Sequence, residues 1–266
     1  MKNWKQLLKA VWIGATMTIP GVSGGTMAVV TGIYEDLIHA VNGVRKEAKK
    51  HIGFLLRFLL GAGCGFLLLA RLVTWLLEQP QMGEITRFFF CGIVLGGIPL
   101  LVKKAELSKV SVSHVLCLLL GAGIVLGLGQ MPQGLFSSGT GIVFLLLQLV
   151  GGFLIAVALV LPGISVSHML YILGLYEMVL QRIYAFRFWE LIPLAIGGIL
   201  GTFQTADALE RLLERFPSQV YMAIVGFVAG SIVTLIPTGG FAQPVWDGVL
   251  GVLGFVGMYL LSKKGL

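Results

Sequence analysis

PGVSGGTMAVVTGIYE, Pro20 to Glu35, returns in altered form as PGISVSHMLYILGLYE, Pro162 to Glu177. The two stretches are offset by 142 residues, and Pro, Gly, Ser, Met, Gly, Tyr and Glu coincide without a gap. Two further echoes follow in the same order. GAGCGFLLLARLVTWLLEQP from Gly61 resembles GGILGTFQTADALERLLERFP from Gly197 at an offset of 136, and CGIVLGGIPL from Cys91 resembles VGFVAGSIVTLIP from Val225. The chain is a duplication broken near Met131–Gly141. Residues 1–135 form a first repeat and 136–266 a second, within one integrated membrane domain.

The surroundings of the motif are oily. Hydrophobic residues make up 57% of the 266 and charged residues 12%, with a mean hydropathy of +0.94. A soluble domain carries roughly a quarter charged residues. Apolar runs at 58–70, 115–129, 142–161 and 245–261 approach the ~20 residues that cross a bilayer as a helix. The class is therefore an all-α polytopic membrane protein, since the short alternating segments of a barrel are missing. Cys64, Cys91 and Cys117 stand singly in apolar segments, without the spacing of a disulfide framework or metal site. No metal or cofactor is expected. The net charge of +7 does not mark a nucleic-acid binder, because the basic residues cluster at segment ends, where they report orientation and contact with anionic lipid. Lys2, Lys5 and Lys9 precede an apolar stretch interrupted by Gly14 and Pro20, which reads as mature protein rather than a cleaved leader.

Each half opens with a helical element split at Pro-Gly, about 7–42 and 141–183. Three apolar segments follow, at 52–77, 86–102 and 112–129, then at 191–213, 218–237 and 245–261. Basic residues place both flanks of the first split element on one side: Lys2, Lys5 and Lys9 before it, Arg45, Lys46, Lys49 and Lys50 after it. Lys103, Lys104, Lys109, Arg211, Arg215, Lys263 and Lys264 fall on that side too, with Arg182 and Arg187 as exceptions. That side is the cytoplasm, and both termini are expected there. Three crossings is an odd number, so the halves point in opposite directions. The expectation is an inverted-topology repeat with two re-entrant helical hairpins and about six spanning helices, the plan of many secondary transporters.

Irregular backbone at membrane depth must be buried in protein or line a wet cavity. A helix restarting after the break presents free N–H groups and a partial positive charge to an anion. Ser23, Gly24, Gly25 and Thr26 at one tip, and Ser165 and Ser167 at the other, are the expected anion ligands, with Arg71 assisting. Glu35, Glu177, His168 and Asp207 are candidates for coupling or gating, because an intramembrane ionisable group is functional by default. Asp207 also matches Arg71 across the repeat and could pair with it. His168 occupies the position of Thr26 and could bring pH dependence. Arg87 and Arg182 are candidate outer-side phosphate contacts. The stretch GVSG also matches the Gly-x-Ser-Gly of rhomboid-type intramembrane serine proteases, with Ser23 as nucleophile and His114 or His168 as base. The second copy, GISV, loses the last Gly, and a catalytic dyad has no need of a duplicated partner. An exporter of a small soluble anion is the other alternative. A transporter, without catalytic residues, is the preferred reading.

Three stretches, PGVSGGTMAVVTGIYEDLI, FFFCGIVLGGIPLL and PGISVSHMLYILGLYE, in this order, resemble the bacterial polyprenyl-phosphate transporter family over nearly the whole chain. The resemblance implies a multi-pass protein of the bacterial cytoplasmic membrane. It implies a translocase returning undecaprenyl phosphate from the outer to the inner leaflet for reuse in cell-envelope synthesis. The implied partners are that lipid and the bilayer, with no nucleic acid and room for a homo-oligomer. The second motif departs from the family's Pro-Gly-Ile-Ser-Gly-Ser followed by an apolar residue: Val166 replaces the Gly and His168 the apolar position. Val166 should stiffen that tip.

Overall fold

The computed structural model describes residues 2–17, 22–107, 109–136, 141–236 and 244–263. Pro20 and Gly21, which open the first motif, lie outside these residues, as does Lys264. The described chain is helical, without strands. The helices are α1 (Lys2–Thr16), α2 (Gly24–Val30), α3 (Tyr34–Glu78), α4 (Pro80–Lys104), α5 (Val112–Gly129) and α6 (Gly141–Val160). After them come α7 (Val166–Leu173), α8 (Tyr176–Tyr184), α9 (Ile192–Arg215), α10 (Pro217–Leu235) and α11 (Pro244–Lys263), with a 3-10 turn at Phe188–Leu191 before α9. Inside α3 the backbone leaves helical geometry at Glu47 (φ −134, ψ 63). It bends there enough to bring the His51 ring against Gly43.

Among the described residues six helices are long and apolar enough to cross a membrane: α3, α4, α5, α6, α9 with its preceding turn, and α11. Faces such as Leu67 and Leu68, 76% and 73% exposed, suit acyl chains and not water. This is a multi-pass membrane protein. The number matches the expectation, but the membership does not. By length and composition α6 qualifies, whereas the sequence reading put it in a hairpin arm, and the apolar stretch 217–233 of α10 falls short. At 1.5 Å per residue the 20 residues of α6 rise about 30 Å, and nothing in their composition marks a half-crossing.

The duplicated motif folds the same way twice. Ser23 and Ser165 are the N-caps of α2 and α7, each side chain accepting from the backbone N–H three residues on, that of Thr26 and of His168. Both short helices end in a Schellman turn, with Gly32 (φ +71) and Gly174 (φ +73) in the left-handed region that glycine adopts without a Cβ clash. The bonds match too: Ile33 N–H to Ala28 C=O and Leu175 N–H to Leu170 C=O, both 142 residues apart. Tyr34 and Tyr176 then begin the next helices. Glu35 and Glu177 therefore stand in the first turns of α3 and α8, past the ends of α2 and α7.

Long helices pack through glycines spaced four apart. A Cβ on Gly61 or Gly65 of α3 would meet the carbonyls of Leu7 and Val11 on α1, and one on Gly197 or Gly201 of α9 those of Leu149 and Phe153 on α6. Gly92 and Gly96 of α4 lie against the carbonyls of Gly251 and Phe255 on α11, as Gly226 and Gly230 of α10 lie against those of Leu118 and Ala122 on α5. Residue numbers climb together in each pair, so the partners run parallel. Close approach at small residues is how apolar helices associate when lipid removes the hydrophobic driving force. The halves also exchange their last helices: α4 packs on α11 and α10 on α5. α2 is enclosed by α1, α3, α4 and α6, with Met27 and Val30 at 0% exposure in one apolar cluster with Val94 and Leu101 of α4.

Candidate functional site

The two tips meet. Thr26 N–H donates to Ser23 Oγ at 3.0 Å, and the two hydroxyls lie 3.1 Å apart. Gly163 N–H, from the other tip, donates to Thr26 Oγ1 at 2.8 Å and to Ser23 Oγ at 3.2 Å. A Cβ on Gly25 would stand 3.1 Å from Pro162 Cα, so the chains touch there. Gly163 itself has φ +84, and a side chain on it would run into the Phe227 carbonyl. Tyr34 adds a hydroxyl donating to Val160 C=O at 2.7 Å, which satisfies a carbonyl left over at the end of α6. Ser23 and Thr26 are buried, at 5% and 1% exposure. The hydroxyls of the first tip are thus taken up by the backbone of the second.

The second tip opens on a cavity of about 430 Å³. Ser165, Ser167, His168 and Tyr171 of α7 line it from one side and Arg87 of α4 from another, with Val125 and Leu128 of α5 as apolar wall. Among the described residues of this lining, Arg87 carries the formal charge. His168 Nε2 faces the Leu128 carbonyl at 3.3 Å, which makes that nitrogen the donor. Guanidinium, serine hydroxyls and the N-terminal N–H groups of α7 all favour an anion, and among the described residues no carboxylate lines the cavity. Across α4 lies a second, apolar cavity of about 260 Å³, lined by Trp12, Leu69, Leu72, Val73, Phe89 and Phe90 among others.

The structure brings together Ser165, Ser167, His168 and Arg87, which the sequence had placed in separate roles. Other candidates lie elsewhere. Arg71 is exposed on α3 and does not line the cavity. Asp207 pairs with Arg211 one turn along α9, not with Arg71. Arg182 is held by Glu190 at 2.5 Å, with Arg187 beside the same carboxylate. Glu35 accepts from Lys104 Nζ at 2.6 Å and from the Tyr221 hydroxyl. Glu177 is exposed on α8. Gly24 sits against the Met17 side chain. Among the described residues no histidine is hydrogen-bonded to Ser23, and His114 is engaged by Ser111 and by Ser218 at 3.1 Å. Among the described residues no cluster of three side chains could hold a metal. Sequence reasoning missed Tyr171, Lys104 and Tyr221. Tyr171 carried a usable signal, since it follows Ser167 by four residues and shares its helix face.

A family model described as undecaprenyl phosphate translocase-like matches residues 13–247. The chain belongs to that family. The match begins within α1 and ends in the first turn of α11, so both tips and the cavity fall inside it. The polyprenyl-phosphate transporter of Vibrio cholerae is 29% identical over 245 residues, covering 86% of this chain and 76% of that protein. The polyprenyl-phosphate transporter of Staphylococcus aureus is 28% identical over 275 residues, covering 98% and 96%. No solved structure matches this translocase-like chain.

Proposed function

We propose that the protein moves undecaprenyl phosphate, or a similar polyprenyl phosphate, from the outer to the inner leaflet of the bacterial cytoplasmic membrane by alternating exposure of one phosphate site. The carrying observation is the cavity in which Arg87, Ser165, Ser167 and His168 converge on the start of α7. The names of the two relatives supply the substrate class. The repeats are inverted in this reading, with α2 and α7 as the short helices that turn the chain back after the two breaks. Lys103 and Lys104, at the far end of α4 from Arg87, mark the cytoplasmic side, so the cavity opens outward. The tip of the first motif, sealed around Gly163, is the closed inner half of the same site. Ser23 and Thr26 become phosphate ligands only when that half opens.

The apolar cavity favours a lipid over a small soluble anion. Thr86 and Phe90 line it while Arg87, on the same turns of α4, lines the polar one. A head group at Arg87 could lay its first isoprene units beside Trp12, Phe89 and Phe90. The test is a leaflet assay in proteoliposomes with labelled polyprenyl phosphate, with and without a pH gradient. Arg87→Ala should weaken head-group binding by about tenfold or more, as expected for losing charge-assisted hydrogen bonds. Undiminished binding and transport in Arg87→Ala would overturn the site. Competition by inorganic phosphate equal to that by the lipid would favour the soluble anion.

A further inference from the structure

Glu35 ties three helices together at one end of the bundle, and its repeat equivalent at the other end ties none. The Lys104 ammonium, at the C-terminal end of α4, reaches Glu35 at 2.6 Å, and the Tyr221 hydroxyl, near the start of α10, donates to the same oxygen. Lys104 also lies 5.8 Å over the Tyr221 ring, and Tyr221 is 8% exposed. The matched contacts of the repeat carry these residues to their counterparts. Caps at Ser23 and Ser165, and turns at Gly32 and Gly174, take Glu35 to Glu177. The glycine seats at Gly92 and Gly226, and at Gly96 and Gly230, are 134 residues apart and take Tyr221 to Arg87. Glu177 is exposed and Arg87 lines the open cavity; neither has an ion pair among the described residues. The counterpart of Lys104, Thr238, lies outside the described residues.

We propose that Glu177 and Arg87 form a second gate, closing over the α7 cavity when the Glu35–Lys104–Tyr221 contact opens. The proposal rests on the transporter reading above. Arginine supplies its own charge and a two-pronged donor set, so one residue can do for Glu177 what Lys104 and Tyr221 together do for Glu35. In the open cavity the same guanidinium faces the phosphate. Glu177 and the phosphate therefore compete for Arg87, and closing the gate hands the head group to Ser165, Ser167 and the N–H groups of α7. This makes Arg87 a binding residue in one state and a gate in the other.

The full chain in proteoliposomes, with Cys64, Cys91 and Cys117 replaced by alanine and Ser167→Cys added, reports cavity opening through labelling by a membrane-impermeant maleimide. Glu35→Gln weakens the first gate and should lower the labelling rate by about tenfold as the population moves toward the closed cavity. Adding Glu177→Gln should restore the rate to within about twofold of the parent. Loss of fold would raise labelling in both and so cannot imitate this pattern. In a separate chain without Ser167→Cys, Glu177→Cys with Arg87→Cys should form a disulfide faster when Glu35→Gln is present. Labelling unaffected by Glu35→Gln, no restoration by Glu177→Gln, or no cross-link in either background would each overturn the gate. Neither readout uses polyprenyl phosphate. A failed leaflet assay with intact gating would remove the substrate assignment and leave the gate.

Discussion

Arg87 and Arg71 are both near helix ends and both basic, yet only Arg87 turns toward the α7 tip. We expect Arg71→Ala to leave head-group binding within about twofold, against the larger loss for Arg87→Ala, when labelled lipid is titrated onto each variant. Arg87→Lys should fall between them, because an ammonium keeps the charge but not the two-pronged geometry. Tyr34 offers a stability test away from the cavity. Its hydroxyl donates to Val160 C=O in a buried setting, so Tyr34→Phe leaves that acceptor bare. The cost should be about 1–3 kcal/mol, read as a lower melting temperature in detergent.

At the scale of elements, the short helices α2 and α7 are held by their ends. Gly32→Ala tests one end cleanly, because a Cβ there meets nothing within 4 Å and only the left-handed backbone resists it. We expect a loss of about 1–2 kcal/mol. Gly163→Ala combines a left-handed φ with a clash against the Phe227 carbonyl and should cost distinctly more. Equal melting temperatures for the two variants would contradict the tight seating of the second tip. The motif made this much visible from sequence: a Pro-Gly break, hydroxyls at the tip and a helix restarting behind it. What it did not reveal is where the following glutamates sit, since a helix boundary shifted by three residues moves them from the end of one helix into the start of another.

For the whole molecule, the exchange of α5 and α11 between halves makes neither repeat a self-contained body. Orientation is checked with single cysteines on a cysteine-free chain. Lys46→Cys and Lys109→Cys, on exposed positions of the α3 bend and the α4–α5 connection, should react with an impermeant thiol reagent only from the cytoplasmic face. Gln133→Cys, beyond α5, should react only from outside. Reaction of Lys109→Cys and Gln133→Cys from the same face would refute the proposed topology.

Sequence alone determined the helical membrane class, the repeated motif, its two breaks and the residue types at each tip. These depend on hydropathy and on backbone preferences that act within a few residues. Tertiary structure decided which groups share the site. A helix fixes the spacing of its side chains but not the face each turns to a neighbour, so nothing local distinguished Arg87 from Arg71. Asp207 had a repeat-matched Arg71 and a same-helix Arg211 available, and it took the one a single turn away. PGVSGGT and PGISVSH look alike in sequence, but residues of the second line the cavity while the hydroxyls of the first are taken up by the backbone beside it. The contact from Gly163 N–H to Ser23 and Thr26 made that choice.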